Sequence, residues 1–139
     1  MEIEYCYNLA MRKSTRLITH FYEERLATVG LKVGQFSILR AVNYRKKTTN
    51  KELQSILVLD QTTLSRAIKP LIRDGLLSIT ADESDLRSKI ISLSPKGKIA
   101  YQKALPLWKD AQQSLKDKLG NKQINQILNL SDTFVEKLA

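Results

Sequence analysis

Apolar residues recur at spacings of three and four along most of this chain, and the period changes in one place only. Leu17, Ile18, Phe21, Tyr22 and Leu26 predict a long helix over residues 5–29, closed by Gly30. Phe36, Leu39 and Val42 turn inward from a shorter helix over 33–43. Thr49 followed by Glu52 reads as a capping box, the hydroxyl taking an orphan N–H and the carboxylate reaching back. Leu53, Ile56 and Leu57 then share one face. Val58, Leu59 and Asp60 make a turn, and Asp60 can accept from the backbone of Thr62 or Thr63 to start the next helix. Leu64, Ala67, Ile68, Leu71 and Ile72 form its apolar stripe, Pro70 predicts a slight bend, and Gly75 is the stop. This is a helix-turn-helix pattern.

After Gly75 the period drops to two. Leu77, Ile79 and Ala81 alternate with polar residues, as do Ile91 and Leu93, around a charged tip, DESDLRSK, at 82–89. A hairpin directly behind a helix-turn-helix is a wing. Arg87 and Lys89, at or near its tip, suit a minor groove or flanking phosphates, with Ser88 between them. Asp85, two residues before Arg87, is expected to hold that guanidinium in place. Ser94-Pro95 starts a helix to about Lys118, with a kink expected at Pro106 and a break at Gly120. A last helix over 122–138 carries Ile124, Ile127, Leu128, Phe134, Val135 and Leu138 on one side.

The fold class is therefore mainly α with a small β-hairpin wing. Residues 1–32 form an N-terminal dimerisation helix, 33–94 a winged helix-turn-helix DNA-binding domain, and 95–139 the C-terminal dimerisation helices. The flanking helices carry more apolar surface than so small a centre can cover. A second copy of the chain is the simplest cover, which predicts a two-fold homodimer through the first and last helices.

Charge now gives the second helix of the pair its meaning. Gln61, Thr62, Ser65, Arg66, Lys69 and Arg73 point away from its apolar stripe, and none is acidic. A solvated face normally mixes both signs, whereas Gln, Thr, Ser, Arg and Lys suit base edges and phosphates. The net charge of +9 favours a polyanionic partner, nucleic acid first and an anionic membrane surface second. Lys46, in the basic loop 45–47, and Lys51 join the DNA-facing candidates.

Other chemistry is sparse. No apolar run approaches the roughly 18 residues of a spanning helix, and MEIEYCYNL lacks the basic start of a secretory signal. A cytoplasmic protein with no membrane partner is expected. With one Cys and one His there is no metal-ligand cluster, and no cofactor is expected. No nucleophile–base pair, carboxylate pair or phosphate-cradling glycine loop points to an enzyme.

Taken together, GLKVGQFSILRAV at 30–42, NKELQSILVLDQTTLSRAIKPLIRDGLL at 50–77, DESDLRSKIISLSPKGK at 82–98 and ALPLWKDAQ at 104–112 resemble the MarR family of winged-helix transcription factors. The resemblance implies a recognition helix over 61–73, with Gln61, Thr62, Thr63, Ser65, Arg66 and Lys69 as major-groove and phosphate contacts. It places the family's wing pair on Asp85 and Arg87. It implies dimerisation through the terminal helices, and mostly repression relieved by a small molecule or oxidant. CYNL at 6–9 is similar to the start of the organic-hydroperoxide-sensing branch, which implies a redox role for Cys6, with Tyr5, Tyr7 and Tyr22 as partners. That branch has a Tyr where this chain has Val33. His20, on the first helix, is a candidate for an effector cleft that would take a small aromatic acid. Lys32 stands where the family usually has a Thr or Ser cap, so one end of the second helix is expected to fray. The function expected is a dimeric, sequence-specific DNA-binding regulator, with a winged-helix module for protein or RNA contacts as the alternative.

Overall fold

The computed structural model describes residues 5–85 and 87–139. Met1–Glu4, part of the expected dimerisation segment, and Leu86, in the expected hairpin tip, lie outside them. Helix α1 spans Tyr7–Leu26 and tightens into a 3₁₀ turn at Ala27–Val29. There follow α2 at Val33–Arg45, α3 at Asn50–Leu57, α4 at Gln61–Arg73, β1 at Leu77–Ala81, β2 at Lys89–Leu93, α5 at Pro95–Leu119 and α6 at Asn121–Leu138.

The ends of these helices are set by local chemistry. Thr49 accepts from the Glu52 N–H at 3.2 Å, Asp60 from the Thr63 N–H at 2.7 Å, and Ser94 from the Gly97 N–H at 2.9 Å. Gly30 and Gly120 close their helices with φ of 72° and 83°, values that favour a residue without Cβ. Lys32 does not leave α2 frayed as expected. Its backbone N–H donates to the Gln35 side chain at 3.0 Å, and Glu23 accepts from the Val33 N–H at 3.4 Å. Glu52 does not complete its capping box either. Its carboxylate accepts from the Thr48 hydroxyl at 2.9 Å and pairs with Arg45 at 3.1 Å.

The core lies where α2, α3, α4 and the hairpin meet. Phe36, Leu39, Val42, Leu53, Leu64 and Leu71 are shut off from solvent. Helix α5 closes this core from the other side, Tyr101 and Trp108 stacking on Phe36 with ring centroids 5.5 and 5.6 Å away. The hairpin pairs antiparallel, Ile79 opposite Ile91, so Lys89 belongs to β2 rather than to the tip. Thr48 adds a bridge to Ile91, which extends the hairpin sideways into the start of α3. Ile56 and Ile72 differ from expectation: they face outward, not into the core. Each lies at the rim of its stripe, where period alone does not say which side is covered.

The outer helices differ from this centre. Helix α6 has no buried residue, and Leu128, Val135 and Leu138 are exposed along it. Between α1 and α6 runs an open groove of about 820 Å³, lined by Met11, Leu17, Phe21, Ile127, Leu130 and Phe134.

Candidate nucleic-acid interface

Three elements converge on one open cleft of about 850 Å³ between the helix pair and the hairpin. Helix α3 contributes Lys51, and α4 contributes Gln61, Ser65 and Lys69. The hairpin contributes Asp85, Arg87, Ser88 and Lys89. Sequence spacing put these residues on separate elements; the fold brings them to one wall-and-floor arrangement. The floor is α4, presented by Asp60, whose carboxyl is held below the usual carboxylate range by the N–H and hydroxyl of Thr63. An ionised cap at this end also complements the helix dipole.

The wing wall is stiffened by its own turn. Asp82 accepts from the Ser84 N–H at 3.0 Å and hydroxyl at 2.7 Å, and these bonds hold its carboxyl below the usual range. Asp85 accepts from the Arg87 backbone N–H at 3.0 Å. The expected Asp85–guanidinium pair is thus replaced by a backbone bond. Among the described residues the Arg87 guanidinium has no ion pair. Asp85 shapes the turn.

Not every candidate joins this cleft. Thr62, Thr63 and Arg66 are exposed on α4 beside it. Arg73 is exposed too, but its Nε donates to Asp74 at 3.3 Å. Lys46 lies elsewhere, in a second cleft with Asn43, Lys47 and Lys98 beyond the Thr48–Ile91 bridge. Two residues left out of the sequence reading, Asn50 and Gln54, line the main cleft, where the Gln54 amide donates to Asn50. Their separation by four on α3 is the signal that could have found them.

A MarR family model matches residues 31–89. Over its length the chain is 31% identical to the M. tuberculosis transcriptional regulator MOSR, solved in complex with DNA. The match covers 97% of this chain and 100% of that one, with a TM-score of 0.83. The chain belongs to the MarR family. A MarR mutant from E. coli complexed with operator DNA shares the fold at 19% identity, with a TM-score of 0.81 over 91% of each chain. The organic hydroperoxide resistance transcriptional regulator of Bacillus subtilis is 28% identical over 107 residues, 77% of this chain and 71% of that one. MarR-family proteins are transcription factors, and the winged helix-turn-helix described above is theirs.

The two candidate switch residues stand apart from one another in this MarR-family fold. Cys6 is exposed and caps α1, its Sγ accepting from the Leu9 N–H at 3.4 Å. Tyr5 and Tyr7 point into solvent. Within one chain Tyr22 is far from it, since sixteen residues along a helix is about 24 Å, and its hydroxyl donates to Gln112 on α5. Burial pushes that phenol up. His20 is exposed and lines neither groove beside α1. The smaller groove, about 470 Å³, is lined instead by Ile18, Tyr22, Trp108 and Gln112, with Lys109 and Lys116 at its edge. No helix among the described residues is long and apolar enough to cross a membrane.

Proposed function

We propose that this chain is a homodimeric, sequence-specific double-stranded-DNA-binding regulator that represses transcription until a small molecule or oxidant acts on the dimer. One observation carries the reading: Lys51, Lys69, Arg87 and Lys89, from three elements, border one open cleft with Gln61 and Ser65 on its floor. Among the described residues only Asp85 opposes them there, and its carboxylate is engaged by a backbone N–H. That is the footprint of a groove reader, hydroxyls and amides for base edges within a rim of phosphate-seeking cations.

Residues 33–94 act as the reading unit, and the terminal segments 1–32 and 95–139 hold two copies together. The apolar groove between α1 and α6 is the surface a second copy covers. Two such units related by a two-fold read a pseudo-palindrome with half-sites about one helical turn apart. Thr62, Arg66 and Lys69 supply base and phosphate contacts, while Arg73, tied to Asp74, contributes less. The aromatic groove at Tyr22 and Trp108, edged by lysines, suits a small aromatic acid. Cys6 at the start of α1 is the site an oxidant would reach.

The test is binding to the chain's own upstream region across a salt series. A steep salt slope and preference over random duplex are expected. Lys69→Ala should weaken all duplexes alike and lower the slope by about one. A slope near zero in the wild type contradicts the proposal. Comparing release by peroxide in wild type and Cys6→Ser separates the oxidant signal from the small-molecule one.

A further inference from the structure

Three consecutive carbonyls follow the recognition helix, on Asp74, Gly75 and Leu76, and the start of α5 takes all three. The Lys96 ammonium donates to the Asp74 carbonyl at 2.8 Å. The Ser94 hydroxyl donates to the Gly75 carbonyl. The Ser94 backbone N–H donates to the Leu76 carbonyl at 3.1 Å. Ser94 Oγ accepts at the same time from the Gly97 N–H, so one hydroxyl both caps α5 and holds the turn that follows α4.

Packing at this joint is equally close. A Cβ on Gly97 would lie 1.9 Å from the Leu76 carbonyl oxygen, so any side chain there forces the two elements apart. Gly75, at φ 74°, lets the chain turn from α4 into β1 without strain. From the joint, α5 runs to Leu119 and packs on α1 and α6. The turn that ends α4 and the helix that joins α1 and α6 therefore meet directly, through hydrogen bonds and backbone contact.

We infer that Ser94, Lys96 and Gly97 fix the angle between the recognition helix and the dimer-forming helices, and so set the half-site spacing that the dimer accepts. The inference rests on the DNA-binding reading above. None of the three lines the cleft of Lys69 and Arg87, so they act as positioning residues. The lever is long enough: a 13-residue helix measures about 20 Å. Pivoting it by about 10° at its C-terminal end moves its N-terminal end by about 3.4 Å, one base-pair step.

The experiment uses duplexes selected by the wild-type protein from a random library, rebuilt with the spacer changed by one or two base pairs. The readout is the affinity ratio between the selected spacing and one base pair away. Ser94→Ala combined with Lys96→Met should lower that ratio at least about tenfold, the scale of one mismatched base pair. Its sedimentation as a dimer and its salt slope on random duplex should not change. An unchanged ratio in the folded double variant overturns the inference. Should the double variant not fold, Lys96→Met alone, which removes one surface hydrogen bond, should lower the ratio about threefold, and an unchanged ratio overturns the inference. A wild type that binds its selected duplex but ignores spacing also overturns it while leaving DNA binding intact. A wild type that binds no duplex defeats the DNA-binding reading itself.

Discussion

The centre and the ends of this chain carry the same kind of apolar stripe and bury it very differently. Phe36, in α2, is 1% exposed beneath Tyr101 and Trp108, whereas Phe134, in α6, is 37% exposed, and its neighbour Val135 47%. Both sit at helical spacing among other apolar residues. The centre finds its complement within the chain, because α2, α3, α4, the hairpin and α5 enclose one volume. Helix α6 packs on α5 and leaves a face over. An apolar period says that a face must be covered; only the fold says whether the same chain covers it.

The comparison can be broken first at the centre. Phe36→Ala removes the ring on which Tyr101 and Trp108 stack, and should cost about 3–5 kcal/mol. Denaturant unfolding would show this loss at every protein concentration. At the ends the effect should depend on concentration instead. Leu130→Asp, on the face of α6 that lines the groove toward α1, should leave the helical signal of a dilute sample intact while shifting sedimentation toward single chains. Duplex affinity should fall by about a hundredfold, as linked sites become independent. If Leu130→Asp instead unfolded the chain, α6 would be serving the core and the contrast would fail.

Smaller changes sharpen the picture inside the reading unit. Val58 turns α3 into α4 at φ 54°, a left-handed conformation that a β-branched residue adopts only under strain. Val58→Gly should raise stability by up to about 1 kcal/mol, seen as a higher melting temperature with DNA affinity unchanged. The smallest effect concerns Asp60. Its folded carboxyl titrates below the ordinary 3.8, so the stabilisation it gives is present above that pH and fades as acid protonates it below. Asp60→Asn caps without titrating, and its melting temperature should fall less steeply than that of wild type between about pH 4 and pH 2. Parallel acid profiles would remove the Asp60 carboxylate from the account.

What could be read from the sequence follows the same division. Thr49, Asp60 and Ser94 were legible as caps because each bonds a backbone N–H three residues on. The hairpin was legible because Leu77, Ile79, Ile91 and Leu93 alternate. The cationic face of α4 was legible because its spacing and lack of acids are local facts. Choices among competing partners, near or far along the chain, were not. Spacing alone does not show that Glu52 accepts from Thr48 and pairs with Arg45 rather than with its own cap. Nothing near Asp85 says that a backbone N–H outcompetes a guanidinium. Lys46 was placed with the recognition helix by proximity along the chain, and the Thr48–Ile91 bridge turns it into a different cleft. The joint at Ser94 and Lys96 depends on carbonyls 18 to 22 residues upstream, a separation no periodicity encodes.

The most direct test of paired presentation is the stoichiometry of the protein on its selected duplex, measured by sedimentation with a footprint of the same complex. Two chains per duplex, protecting two half-sites about 10 base pairs apart centre to centre, is the expected result. A single chain per duplex, with one protected half-site and undiminished affinity, would contradict it.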